Sequence, residues 1–376
     1  MTVLIAPDKF KGTLTAPQVC AAITEGVLAL NASLRIFSIP MADGGEGTSN
    51  VLTQFSRGSK VKVRVLDPLF REIDSEYGIS QDGKTAFIEM ASASGLGLLT
   101  TEERNPLCTT TFGTGQLIKD AIEHGAEHII LGIGGSATTD AGMGMAAALG
   151  YTFLSEDKAV MVPTGQNLIY LHDIRTHAVH PALAKTEFTV LCDVDNPLCG
   201  IKGAANIFGP QKGATQGAVK ALDAGLQHFQ NIAESTFHVS LNFGGAGAAG
   251  GLGAGAKVFL NAKMEKGFDF ISKFIKLDSL IQQSDLVITG EGKIDLQTFS
   301  GKVVSGVASL AARHQKPCIA FAGQCELSPD LISELHLVEI ISLTDSANLA
   351  QDSMEHAFTI LRDLTKRRLA SRIPSI

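Results

Sequence analysis

Five short polar turns carry residue types that handle anions and protons. They are Ala6-Pro7-Asp8-Lys9-Phe10-Lys11-Gly12, Met41-Ala42-Asp43-Gly44-Gly45-Glu46-Gly47-Thr48, Gly134-Gly135-Ser136-Ala137-Thr138-Thr139-Asp140, Cys192-Asp193-Val194-Asp195-Asn196-Pro197 and Thr289-Gly290-Glu291-Gly292-Lys293-Ile294-Asp295-Leu296-Gln297-Thr298. Lysines and backbone N–H groups neutralise phosphate or carboxylate. Carboxylates hold a divalent cation or accept a proton. Those are the parts that phosphoryl transfer needs. A solvated surface loop explains any one such turn, but a set of five of one type points to a site. Four of them directly follow an apolar strand, and the second follows one after a short Pro-containing link. Ligands of open parallel sheets bind beyond the carboxyl ends of the strands.

Two literal motif matches compete for the nucleotide. Gly78-Ile79-Ser80-Gln81-Asp82-Gly83-Lys84-Thr85 fits a P-loop pattern. That mechanism needs a helix directly after it, whose amides face the phosphates. Here Ala86-Phe87-Ile88-Glu89-Met90 reads as a strand and Asp82-Gly83 as a hairpin turn, so the hairpin reading is preferred. Gly132-Ile133-Gly134-Gly135-Ser136-Ala137 fits a dinucleotide fingerprint, with Glu156 and Asp157 further on where a ribose-binding acid would stand. Three hydroxyls and a carboxylate crowd the expected helix start behind it. They suit an anion, plain N-capping or, as the rival, a nicotinamide dinucleotide. Residues 244–255 are too glycine-rich for a stable helix. They read either as a loop that approaches a ligand closely or as a hinge.

The elements that position these turns can be read from periodicity. Residues 3–6 form a strand. Thr15 and Gln18 make a capping box with an early Pro17, and Val19, Ile23, Val27 and Leu30 continue at helical spacing. Residues 34–39 form the next strand, so the chain starts as a βαβ unit with a parallel sheet. After about residue 59 the pattern changes to strands over 61–65, 72–79 and 85–90, with an antiparallel or mixed sheet. Further strands are expected at 128–132 and 188–192, with helices at 139–149 and 216–236. The α/β rhythm returns with strands at 285–289, 318–322 and 338–343, and helices at 301–314 and 347–370. The expected organisation is a discontinuous parallel-sheet domain, residues 1–58 plus 283–376, with an inserted mixed α/β domain, 59–282. Both contribute turns, which places the expected active site in the cleft between them. Such a cleft also excludes water from a reactive phosphoryl donor.

The totals narrow the function classes. The chain has 376 residues, 45% of them apolar and 18% charged, enough for two or three domains with real cores. The net charge is −7, no basic tract stands out, and there is no Trp and only three Tyr. A nucleic-acid partner is not expected. Six cysteines are scattered without a C-x-x-C pair, and the spacing of Cys192 and Cys199 fits no zinc pattern. They read as mostly buried, reduced thiols of a cytoplasmic protein. No signal-peptide pattern and no run of about 18 apolar residues is present, so no membrane partner is expected.

The turns, together with Phe208-Gly209-Pro210-Gln211-Lys212-Gly213, resemble the bacterial glycerate kinase family of the glycerate 2-kinase type. The resemblance spans residues 6 to about 302 in order and length. It implies a Rossmann-like domain paired with a second α/β domain. It implies ATP and Mg²⁺, and D-glycerate as acceptor, with 2-phosphoglycerate favoured over 3-phosphoglycerate. It leaves the catalytic base open, and the roles that follow are expectations. Lys9 or Lys11 neutralises phosphate or the substrate carboxylate. Asp43 and Glu46, with Gly44 and Gly45, hold Mg²⁺ or the acceptor. Gly134, Gly135, Ser136 and Thr138 bind an anion at a helix start. Asp193 or Asp195 is the base or a metal ligand, so Asp43 and Asp193 are the metal candidates. Gly290 and Glu291 line the site, Lys293 stabilises the transferring group, and Asp295 is a further base or metal candidate. Two rivals stand: an NAD-dependent dehydrogenase of a small hydroxy acid using 132–137, and a non-catalytic sugar-acid sensor, whose discriminating feature would be an appended DNA-binding domain; no helix-turn-helix with basic character is apparent. A homo-oligomer is left open.

Overall fold

The computed structural model describes residues 1–299, 302–344 and 356–374. Strand β1 (Thr2–Ile5) is followed by β2 (Arg35–Ser38). The chain then lays down β3 (Ser59–Leu66), β4 (Glu72–Ile79), β5 (Thr85–Glu89), β6 (His128–Gly132), β7 (Thr152–Leu154), β8 (Asp173–Arg175), β9 (Glu187–Leu191) and β10 (Lys263–Glu265). It closes with β11 (Leu286–Ile294), β12 (Cys318–Cys325) and β13 (Glu339–Ser342). Helices lie between the strands, and the architecture is mixed α/β with parallel sheets.

The chain divides into two compact units, Met1–Asp43 with Phe268–Ile376, and Gly44–Gly267. The breaks fall ahead of residues 58 and 282. Helix Thr48–Phe55 goes with the second unit because Ser49 Oγ donates to the Phe87 carbonyl (2.7 Å) on β5. From Phe268 onward, helix Gly267–Phe274 goes with the first, where the Phe268 ring lies against Gly306.

The first unit carries a five-stranded sheet in the order β13-β12-β11-β1-β2, parallel throughout. Val3, Leu4 and Ile5 are fully buried, as expected for a strand covered on both faces. Helix Ala16–Leu28 starts at the expected capping box: Gln18 N donates to Thr15 Oγ1, and Thr15 N donates to Gln18 Oε1 (2.9 Å). It packs against the last described helix, Ala357–Leu369, where Gly26 lies beside Thr365. The expected helix began at 347, and residues 347–355 lie outside the described residues. The order in which strands are added to the sheet reverses between β1 and β11, while all strands run parallel.

The second unit carries a six-stranded sheet, β10-β9-β6-β5-β4-β3. Strands β3, β4 and β5 are antiparallel, while β5, β6, β9 and β10 are parallel. A small antiparallel pair, β7 and β8, stands apart. Its core is built on Leu117, Ile129, Leu131, Leu252 and their neighbours, with a second cluster around Phe153, Phe229 and Phe259.

Four local expectations are corrected. Strand β11 runs to Ile294, so the fifth turn is mostly strand. Its pairing with β12, from Gly290 beside Phe321 to Ile294 beside Cys325, overrides a glycine-rich sequence that reads as a turn in isolation. The helix expected at 139–149 is only Met143–Ala148, because Ala141 and Gly142 adopt φ +53° and +74° just before it. The segment 244–255 is neither a hinge nor mainly a loop. It enters helix Ala248–Leu260 through a kink at Ala249, Gly250 and Gly251. Residues 250–256 are buried, and that packing offsets the helical penalty of about 1 kcal/mol per glycine. Of the six thiols only Cys20 and Cys318 are buried, and the others are half-buried.

Candidate active site

In the first unit the polar groups gather at the carboxyl ends of β1, β2 and β11. Asp8 follows β1, and its N–H bonds the Gly290 carbonyl (2.8 Å), which locks the turn onto β11. Lys9 N donates to Asp8 Oδ1 (2.7 Å). Burial, and next the charge of Asp43, pushes the Asp8 carboxyl up to about 7, with Glu291 adding to it. Burial also pushes Glu291 up to about 7, against a hydrogen bond from Thr298 Oγ1 and the charge of Lys302, with Asp295 and Asp43 pushing the same way as burial. Lys9, Asp43, Gly290, Glu291 and Asp295 therefore fall in one electrostatic neighbourhood, organised around Asp8. No role had been assigned to Asp8, although its place inside a strand-ending Pro-Asp-Lys turn was the available signal. Lys11 is exposed, with its backbone against Gly292. Lys293 is half exposed and paired with Glu326 (2.7 Å) and, more loosely, Asp295 (3.8 Å).

In the second unit the loops gather at the carboxyl ends of β5, β6, β9 and β10. Gly44 and Gly45 lie against Gly132 and Gly134 so closely that a Cβ on Gly132 would stand 2.7 Å from the Gly44 carbonyl oxygen. Only glycine permits this backbone-on-backbone approach. Glu89 Oε1 accepts from Gly47 N (3.0 Å) and Ser49 N (2.8 Å), so its charge sits at the start of helix Thr48–Phe55. Glu46 is exposed on the same turn. Asp193 Oδ1 accepts from Gly267 N (2.8 Å), tying the loop after β9 to the one after β10. Asp195 is exposed, beside Gly244.

Residues 134–140 do not open a helix, so Ser136 and Thr138 are not its caps and gain nothing from a helix dipole. The same fact removes the main physical support for a dinucleotide fingerprint there. What stands behind the loop is Lys212, which the sequence had left without a role. It ends a tight turn, Pro210–Lys212, closed by Gly213 at φ +89°. A Cβ on Gly213 would stand 2.2 Å from the Arg104 carbonyl oxygen. Lys212 is 2% exposed, and its ammonium donates to Ser136 Oγ (2.7 Å) and to the Thr138 carbonyl (2.6 Å). Burial pushes it down to about 7, against the attraction of Asp140. Asp140 is fully buried and accepts from Thr111 N (2.7 Å), Thr111 Oγ1 (2.8 Å), Gly142 N (3.1 Å) and Gly144 N (3.2 Å). Burial raises its pKa, and those bonds oppose the rise.

The P-loop match is a hairpin. Asp82 and Gly83 turn the chain between antiparallel β4 and β5, and Lys84 pairs with exposed Glu127 (3.2 Å). Among the described residues no three His, Cys, Asp or Glu side chains form a ready metal cage, and no helix is long and apolar enough to cross a membrane.

Comparison with known proteins places this arrangement. The model of the glycerate kinase family matches residues 3–372. A glycerate kinase of Halalkalibacterium halodurans is 44% identical over 368 residues, covering 97% of this chain and 96% of the relative. The glycerate 2-kinase of Escherichia coli is 40% identical, with 95% and 94% covered. A crystal structure from Salmonella typhimurium, provisionally named glycerate kinase 2, superposes with a TM-score of 0.87 at 38% identity and covers 99% of this chain and 98% of its own.

Proposed function

The chain belongs to the glycerate kinase family, and from that premise we propose how its loops divide the reaction. It is a phosphotransferase with an alcohol group as acceptor, a glycerate kinase. The observation that carries this is a family match running from residue 3 to residue 372, across every loop described above. A nicotinamide-dependent dehydrogenase has no support.

In our reading ATP is the donor, D-glycerate the acceptor and 2-phosphoglycerate the product, in a cytoplasmic enzyme. The first unit is Rossmann-like and discontinuous, with the second inserted into it. Ligands of such sheets sit beyond the carboxyl ends at the point where the strand order reverses, and here that point carries Asp8, Gly290 and Glu291. Asp8 and Glu291 keep raised pKa values despite the opposing charges of Lys9 and Lys302, with Asp43 pressing on both, so the cluster has room for a further cation. Mg²⁺ takes hard oxygen ligands from one or two carboxylates and completes its shell with substrate phosphates. Asp8, Asp43 and Glu291 form no ready three-carboxylate cage, but one or two of them would supply such oxygens beside the phosphates, and the ion would neutralise phosphate charge during transfer. Asp193 in the second unit keeps its proposed role as base or ligand. Lys9 and Lys293 are the cations for the phosphates, and Gly134, Gly135, Ser136 and Thr138 bind an anion.

An ADP-coupled assay with ATP, Mg²⁺ and D-glycerate tests the reading, followed by phosphorus NMR of the product. Turnover with a 2-phosphate signal is expected. No turnover across a panel of small hydroxy acids overturns it. Asp193→Asn should lower kcat at least about 100-fold if the carboxylate is the base.

A further inference from the structure

Lys212 is a buried amine that, once protonated, the protein leaves with an incompletely answered charge. Among the described residues no carboxylate oxygen lies within 4.0 Å of its ammonium. Asp140 attracts it, but the Asp140 oxygens are already engaged by four donors. An ammonium has three N–H donors, and Lys212 spends two of them, on Ser136 Oγ and the Thr138 carbonyl. Buried charges are normally paired, because an unpaired one costs several kcal/mol.

The groups around it have the same imbalance. Thr138 Oγ1 and Thr139 Oγ1 are buried and have no hydrogen-bond partner among the described residues, and Arg104 Nε, from the segment lying against Gly213, is in the same condition. Native proteins rarely leave such groups unsatisfied without a missing ligand or a functional reason. The bond from Lys212 also fixes the direction of one hydroxyl. When Lys212 is protonated it can only donate, so Ser136 Oγ accepts from it and keeps its own proton for another partner. Ser136 is 8% exposed, and its neighbours Gly134 and Gly135 are exposed, so that partner is one that reaches the loop from outside.

We propose that Lys212 is a positioning residue that aims the Ser136 hydroxyl and the 134–139 loop at an oxyanion of a substrate. The proposal rests on the kinase reading above and deepens it. The oxyanion is either the carboxylate of the hydroxy acid or a phosphate of the nucleotide. Lys212 supplies positive charge from behind the loop, and Ser136 makes the contact. The arrangement discriminates against neutral analogues, because without the anion the buried charge stays unanswered.

Wild-type turnover of ATP and D-glycerate tests the kinase reading by itself. The inference is tested on the ratio of Lys212→Met and Ser136→Ala to wild type, with KM for each co-substrate and calorimetric binding of D-glycerate and of ATP measured separately. A rise of about 10- to 100-fold in KM and Kd for one co-substrate is expected from loss of a charge-assisted bond. The other KM should stay within about two-fold. A rise confined to D-glycerate identifies the carboxylate, and one confined to ATP identifies a phosphate. The double variant should be no worse than the poorer single one, because the two groups act in series. Equal changes in both KM values, additive effects of the two substitutions or unchanged values all overturn the proposal. If Lys212→Met does not fold, Ser136→Ala alone decides on the same KM and Kd split.

Discussion

Asp8 and Glu291 are carboxyls that hold their protons near neutral pH, and the cause is burial in the first unit, reinforced by Asp43. Their folded pKa values, about 7, lie above the ordinary 3.8 and 4.5. The folded state therefore binds protons more tightly than the unfolded chain. The resulting stability is complete below about pH 4 and is lost as pH rises through 7. Each group gives a slope of about 1.4 kcal/mol per pH unit across that window. Asp8→Asn should remove one share of it. Urea unfolding at intervals from pH 4.5 to 7.5 should show the variant gaining about 3 kcal/mol on wild type toward the alkaline end, and Mg²⁺ should close part of that gap by stabilising the ionised wild-type carboxylates. Parallel curves for the two proteins would mean that the carboxyls do not share this environment. Lys84 provides the opposite case. It sits in a perfect P-loop string, yet its side chain is an exposed partner of Glu127 on a hairpin. Exposed ion pairs contribute about 0–1 kcal/mol, so Lys84→Met should keep kcat/KM within about two-fold.

Among the elements, Asp140 joins two helices by their first turns. Helix Phe112–Glu123 offers it Thr111 N, and helix Met143–Ala148 offers Gly142 N and Gly144 N. Asp140→Ala strands those donors in a dry interior, where each unsatisfied group costs about 1–3 kcal/mol. A loss of about 3 kcal/mol in urea-derived stability is expected, with Asp140→Asn intermediate because it retains an acceptor. An Asp140→Ala protein as stable as wild type would show that water replaces the carboxylate. The same elements show what sequence could and could not reveal. Local signals were sufficient for the Thr15 and Gln18 box, the Asp82-Gly83 turn, and the strands at 72–79 and 128–132. Each depends on neighbours within a few residues. Helix Ala248–Leu260 and the extension of β11 were not legible, because distant chain decides them: buried packing in one case and β12 in the other. Lys212 was missed for a related reason. Lysine is rarely buried, and only the meeting of two loops 74 residues apart in sequence reveals its partner. The Pro210 and Gly213 punctuation around it was the one local hint. Ser136 and Thr138 were singled out from the sequence as anion binders on the strength of a helix start that the structure places later, at Met143.

At the level of the whole molecule, the two units differ in how the chain builds them. Gly44–Gly267 is one continuous stretch with its own sheet and two apolar clusters. The other unit needs both chain ends, because β1 from the amino-terminal segment lies between β2 and β11 in its sheet. A contiguous unit with its own core has what independent folding requires. The first unit lacks its central pairing until residues from both ends of the chain have been made. A fragment of residues 44–267 should therefore fold alone. Its urea transition should be single and cooperative, with an m value that scales with its smaller buried surface. It retains Ser136 and Lys212 but lacks Asp8, Asp43 and Glu291, so it should show no phosphoryl transfer. A fragment of residues 1–43 joined through a flexible linker to 268–376 should fold only when both segments are present, and the segment 1–43 alone should remain unfolded by circular dichroism. If the 44–267 fragment instead melts without cooperativity while the full chain unfolds in one step, its stability comes from the rest of the chain, and the contiguous unit is compact without being autonomous.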